Sequence, residues 1–117
     1  MAAKRFLTWH LSTPLQVGAS QREAYEVEEN YRPVRVWMRV SRTPSPGNVV
    51  IDINDDDVSI FTSPKPGIQT KSLLGERDYF VEPRLIEKKS VITLDVDQIG
   101  AGEGGENLTV QLELEQV

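Results

Sequence analysis

Hydrophobic and polar residues alternate along most of this chain in short runs, most cleanly in two places near its C-terminus. Ile92, Leu94 and Val96 alternate with Thr93, Asp95 and Asp97, and Leu108, Val110, Leu112 and Leu114 alternate with Thr109, Gln111 and Glu113. A two-residue period puts one set of side chains in a core and the other in water, so both runs are expected to be strands with one wet face. The glycine-rich connection 101–107 then reads as a flexible hairpin loop between them. It is no phosphate cradle, because it lacks the Lys and Ser or Thr of a nucleotide-binding loop and no helix follows it.

Upstream the same period recurs. Leu7, Trp9 and Leu11 alternate with Phe6, Thr8 and His10, a strand with one face in the core and a second, rather apolar face turned elsewhere. Ser20 and Glu23 have capping-box spacing, but Tyr25 and Val27 alternating with Glu26 and Glu28 favour a strand over a helix. Residues 30–33 read as a turn ending at Pro33. Val34, Val36, Met38 and Val40 form the inward side of the next strand, with Arg35, Trp37 and Arg39 outward. After the proline-rich loop 43–47, residues 49–61 fold back on themselves at Asn54-Asp55-Asp56-Asp57 as a hairpin, and we read 34–40 with 49–61 as a second strand pair upstream of the first. Between 62 and 90 the pattern weakens; so long a structureless stretch is unusual in a small domain, so one or two short strands are expected inside it, and partner contacts too.

These runs sum to seven to nine short strands separated by Gly, Pro and Asp. The expected fold is all-β, an antiparallel β-sandwich of jelly-roll-like character, although alternation alone does not separate a jelly roll from an immunoglobulin-like topology. A length of 117 residues suits one domain, 1–117, with 1–18 as an N-terminal arm plus the first strand. The Met1 start and a sandwich that fills the chain suggest a whole protein.

Charge and composition narrow the function. With 13 Lys and Arg against 18 Asp and Glu, a net charge of -5 repels phosphate backbones, so no nucleic-acid partner is expected. No run reaches the roughly 20 apolar residues of a spanning helix, and the polar residues after Leu7 interrupt any signal-peptide core; we expect a cytosolic product with no membrane partner. There is no cysteine, hence no disulfide or thiolate chemistry.

Candidate chemistry is sparse. Asp52, Asn54 and Asp56 match positions one, three and five of a helix-loop-helix calcium loop, but Asp57 stands where Gly is required and Ser63 where Glu is. We read the cluster as a solvated turn, with a weak cation site shared with Asp95 and Asp97 as the only residue of that idea, and expect no metal. The lone His10 reads as a partly buried edge residue, no Gly-x-Ser-x-Gly elbow occurs, and the paired carboxylates sit on wet strand faces; no catalytic residues and no cofactor are expected. Trp9 and Trp37, with the tyrosines, suit a core or a protein interface better than a sugar platform.

The runs Val49-Val50-Ile51-Asp52-Ile53-Asn54, ending in Ile60-Phe61, and Leu94-Asp95-Val96-Asp97-Gln98-Ile99-Gly100 with Asn107-Leu108-Thr109-Val110 resemble a module of tailed-bacteriophage virion proteins. The likeness covers 34–61 and 91–114, roughly half the chain. Asp55-Asp56-Asp57 departs from the Lys-Asn-Gly type of turn in that module, and 67–83 has no counterpart in it. The resemblance implies a structural protein rather than an enzyme: a head decoration or cement protein on the capsid surface of the virion, made in the host cytoplasm, with the major capsid protein as partner and a homo-oligomer, dimer or trimer, as its state. The alternative it implies is a tail-fibre or receptor-recognition module gripping a host glycan through Trp37 and the loops. For the partner interface we single out Arg5, Phe6, Trp9, Arg35, Trp37, Ile68, Leu73 and Leu74.

Overall fold

Alternation becomes pairing in the computed structural model, which describes residues 3–12, 15–42, 47–61, 65–69, 73–78, 85–99 and 106–117. The strands run in chain order as β1 (Lys4–Leu11), β2 (Tyr25–Glu26), β3 (Tyr31–Arg39), β4 (Val49–Asp55), β5 (Val58–Ser59), β6 (Gly67–Ile68), β7 (Leu74–Asp78), β8 (Val91–Gln98) and β9 (Leu108–Gln116). One sheet has the order β1-β9-β3-β7; the other has β2-β8-β4-β5, with β6 also paired to β4. Every pairing is antiparallel, and no helix occurs among the described residues.

Register shows why the two sheets close on each other. Leu7, Leu112 and Val36 stand in one row across the first sheet, and Trp9, Val110 and Met38 in the next. Facing them, Ile51 pairs with Val96 and Ile53 with Leu94. All of these side chains are buried in one continuous core, and each contributes about 1.5–3 kcal/mol by leaving water. The edges are closed differently. On the β1 side, Tyr25 meets Trp9 edge to face at 5.3 Å, its hydroxyl donates to the Thr8 carbonyl at 2.5 Å, and the Trp9 indole donates to the Glu23 carbonyl at 2.9 Å. On the β7 side, backbone meets backbone at Gly67 and Gly75.

Several expectations are corrected. β8 and β9 are not a hairpin: β8 pairs with β4 and β2, β9 with β1 and β3, so the connection between them passes from one sheet to the other. β3 and β4 likewise lie in different sheets and do not pair. An alternating strand specifies which face is apolar, and any neighbour with the same alternation satisfies it. The expected turn at 30–33 is strand; β3 starts at Tyr31 and accommodates Pro33 at a bulge between Pro33 and Arg35, where a missing amide breaks no regular ladder. The bulge leaves Val34 only partly buried, and Tyr31 and Pro33 carry the inward side instead.

Other expectations stand. The acidic hairpin exists, with Asp56 and Asp57 at φ 47° and 68°; positive φ at both central residues is the tight turn whose twist matches two paired strands. Stretch 62–90 holds β6 and β7 among its described residues, and Ile86 bridges to Tyr31. Ser20 and Arg22 have positive φ in place of a helix start, and Tyr25–Glu26 is a short strand.

Candidate binding surface on the outer sheet face

The first sheet turns its polar side outward in cross-strand rows. Phe6, Glu113 and Arg35 share one row, Thr8, Gln111 and Trp37 the next, and His10, Thr109, Arg39 and Leu74 the third. Lys4 reaches along this face to Glu113, 3.1 Å from Nζ to Oε2, and the Gln111 carboxamide donates from Nε2 to Thr8 Oγ1 at 3.2 Å. The Arg39 guanidinium packs against the Trp37 ring, 5.7 Å from its centroid, a contact typically worth about 0.5–1 kcal/mol at an exposed site. Between these groups, Arg35, Trp37, Gln111 and Glu113 line a shallow depression of about 230 Å³.

Of the residues singled out for contact, the structure brings Arg35 and Trp37 together in this depression and sets Phe6 beside it. Leu74 stands at the far end of the Arg39 row, with Leu73 before it; Phe6, Leu73 and Leu74 are 48%, 48% and 55% exposed. Arg5 lies apart, ion-paired with Glu28 at 2.6 Å. The Tyr31 hydroxyl also donates to Glu28, and this bond, with Arg5 adding to it against the opposing cost of burial, holds the Glu28 carboxyl below its ordinary range; the same bond raises the Tyr31 hydroxyl. Trp9 and Ile68 need correcting as contact residues: both are wholly buried, Trp9 because its indole satisfies a carbonyl inside the sandwich and Ile68 because β6 aligns it with Val49 in the core. His10 is exposed rather than partly buried, with Nδ1 2.9 Å from Thr109 Oγ1.

Gln111 and Glu113 were missed as lining groups. On a wet strand face they read as ordinary solvated residues, and only register with β3 sets them beside Trp37 and Arg35.

The acidic cluster on the other sheet is a solvated turn only at Asp56 and Asp57, which are exposed. Asp52, Asn54 and Asp55 are buried. Asp52 accepts from Ser59 Oγ at 2.5 Å through Oδ1 and faces Lys65 Nζ at 3.1 Å through Oδ2; the same ammonium lies 2.9 Å from Asp97. Asn54 donates to Asp95 at 2.7 Å, and Asp95 also accepts the Ser20 amide at 2.9 Å. Lys65 thus occupies the place between carboxylates that a cation would need, and Asp97, then Asp52, raise its pKa. Among the described residues no group of three His, Cys, Asp or Glu side chains is arranged to hold a metal ion. Lys65 was invisible as a partner because it lies 13 residues from Asp52 and 32 from Asp97 in a stretch without clear period.

Compared with protein families and with curated proteins, the chain matches none.

Proposed function

We propose that this chain is a non-enzymatic structural protein of a tailed-phage virion, a head decoration protein that sits on the capsid surface and bridges major capsid subunits as a homo-oligomer. The observation that carries the reading is that exposed large apolar side chains stand at both edges of the first sheet, Phe6 on β1 and Leu73 with Leu74 at β7, besides those scattered elsewhere such as Val58 and Leu85. Residues of this kind are what a protein interface buries, whereas the interior strands of that face carry mostly polar groups. Docking by the two edges leaves the rigid face between them turned outward.

The β1 edge is partly occupied, since the Thr8 carbonyl already accepts the Tyr25 hydroxyl. Among the described residues β7 pairs only with β3 and ends the strand order of its sheet, and the last strand of a sheet is where a further strand can add. The resemblance to virion modules supplies the particle; the edges supply the manner of attachment, by buried area of the order of 1,200–2,000 Å² in total for a stable interface.

The test is reconstitution. Purified chain is added to heads that lack it, and occupancy is read by electron microscopy and by co-sedimentation. Phe6→Ser and Leu74→Ser, both at exposed positions and so compatible with folding, should each lower occupancy at least tenfold. Full occupancy by both variants, or no binding of the parent chain to heads, would overturn the reading.

A further inference from the structure

We infer that Tyr25 is a built-in guard on the edge of β1: its hydroxyl, seated on the Thr8 carbonyl, keeps the β1 strands of two copies of this chain from pairing side by side. This goes beyond attachment to a particle, because it concerns a contact that the free chain is built to refuse.

The Gln116 amide donates to the Ala3 carbonyl, and this bond fixes the alternation of the antiparallel ladder that follows. Arg5, Leu7, Trp9 and Leu11 therefore bond to β9, while Lys4, Phe6, Thr8 and His10 turn their amides and carbonyls away from it. Of these outward backbone groups only the Thr8 carbonyl has a partner among the described residues, the Tyr25 hydroxyl at 2.5 Å. Sheets protect a free edge with proline, bulges or well-placed charge. β1 has no proline and no register shift against β9, and its charged residues, Lys4 and Arg5, stand only at its start. The hydroxyl at its middle is the protection that remains.

The guard is held by the opposite sheet. Along β8, Gly18 bridges to Val96, the Gln21 amide donates to the Leu94 carbonyl, Tyr25 pairs with Ile92, and the Val27 amide donates to the Ser90 carbonyl. Positive φ at Ser20 and Arg22 breaks the line of this segment, so it offers no straight edge of its own. The Tyr25 ring packs edge to face on Trp9, whose indole N–H donates to the Glu23 carbonyl. Tyr25 is thus positioned by one sheet while it caps the other, and burial, then Glu23, raises its hydroxyl so that it stays a donor.

The refused partner is a second β1. Two copies related by a two-fold axis normal to the sheet bring this strand against itself antiparallel. Registers centred on Phe6, Leu7 or Thr8 pair at least three of the four outward residues, and in each of them the Thr8 carbonyl must accept an amide of the other copy. The register centred on Leu7 uses all four, with Phe6 opposite Thr8 and Lys4 opposite His10. The Tyr25 oxygen occupies the place of the incoming amide in every case.

The experiment compares the full chain with Tyr25→Phe, which keeps the ring against Trp9 and deletes the oxygen, by analytical ultracentrifugation and by amide hydrogen exchange in NMR. In the parent, the amides of Phe6, Thr8 and His10 should exchange at least about tenfold faster than those of Leu7 and Trp9. At the same concentration Tyr25→Phe should sediment with roughly twice the parental mass, and those three amides should become protected. Adding Phe6→Pro should restore the parental mass, because proline deletes an outward amide and breaks no bond to β9. A Tyr25→Phe chain of parental mass overturns the inference, as does a doubled mass that survives Phe6→Pro, or outward amides already protected in the parent. Loss of the native Trp9 indole resonance in Tyr25→Phe also overturns it, since the hydroxyl would then be a bond the fold requires and not a guard.

Discussion

Adding one carbon at Gly75 tests how the sandwich is closed on its β7 side. A Cβ built there would lie 2.3 Å from the Gly67 carbonyl oxygen, 3.1 Å from the Gly67 carbonyl carbon and 3.2 Å from Ile68 Cγ1. The first distance falls short of ordinary van der Waals contact by about 1 Å, and the obstructing atom is backbone that already belongs to β6. No rotamer change relieves it, so β6 and β7 must separate. Overpacking of this kind costs about 1–3 kcal/mol, offset by about 0.5–1 kcal/mol because alanine is better than glycine in a strand. The net is about 0–2.5 kcal/mol, and because the clash also pulls Ile68, wholly buried, away from its neighbours, Gly75→Ala is expected to lose about 2 kcal/mol, the upper part of that net range. For 117 residues this corresponds to a fall in Tm of about 8 °C. Gly67→Ala, whose Cβ would meet the Val49 carbonyl oxygen at 2.3 Å, should behave alike, whereas at Gly18 the nearest atom is the movable amide end of Gln21 at 2.5 Å, and Gly18→Ala should change stability by less than about 0.5 kcal/mol. Urea unfolding followed by the fluorescence of buried Trp9 gives all three values. A Gly75→Ala variant within about 0.5 kcal/mol of the parent would show that the sheets do not meet backbone to backbone at this corner.

Asp57→Gly should stabilise the chain by about 0.5–1 kcal/mol, because glycine adopts the positive φ of the second turn position without strain and one charge leaves a crowded acidic hairpin; a urea midpoint that falls contradicts the turn assignment. Lys65→Met should cost about 1 kcal/mol, less than for a fully buried pair because the lysine is 40% exposed. Lys65 is held above its ordinary 10.5, so its contribution is complete below pH 10.5 and is lost as pH rises through the folded-state value. The variant's alkaline decline in urea midpoint should be shallower, though Tyr25, raised by burial and then by Glu23, and Tyr31, raised by its bond to Glu28, keep part of it; identical alkaline curves would refute the bridge. Glu28 is held below its ordinary 4.5, chiefly by Tyr31, so its contribution is present above pH 4.5 and lost as pH falls through the lower folded-state value. Glu28→Gln should therefore flatten the acid side of the stability curve below pH 4.5, measured by urea midpoints across that range, and an unaltered acid limb would count against the Tyr31–Glu28–Arg5 cluster.

Much of the fold was legible along the chain because burial follows a local rule. Leu7, Trp9 and Leu11, Val36 and Met38, Ile51 and Ile53, Ile92, Leu94 and Val96, and the four apolar residues of β9 each sit inward where a two-residue period puts them. The outward positions of Arg35, Trp37 and Arg39 follow from the same rule, and so does the acidic hairpin, since Asp tolerates the backbone angles of a tight turn.

Neighbours were another matter, because alternation is silent about them. Adjacency along the chain suggested that β8 and β9 form a hairpin, yet they lie in opposite sheets; two strands with one apolar face each can bury it by facing one another as well as by lying side by side. Pro33 reads as a turn until a bulge gives it a place in β3. Partners for Asp52 and Asp97 came from Lys65, and the lining of the Trp37 depression from Gln111 and Glu113, which are 74 and 76 residues away in sequence. The order of residues in this protein determined which side of each strand is oily, a property written in neighbours two apart. Which strands meet, and so which charges pair and which side chains share a depression, was decided only when the sheets assembled, because those contacts join positions that no local period connects.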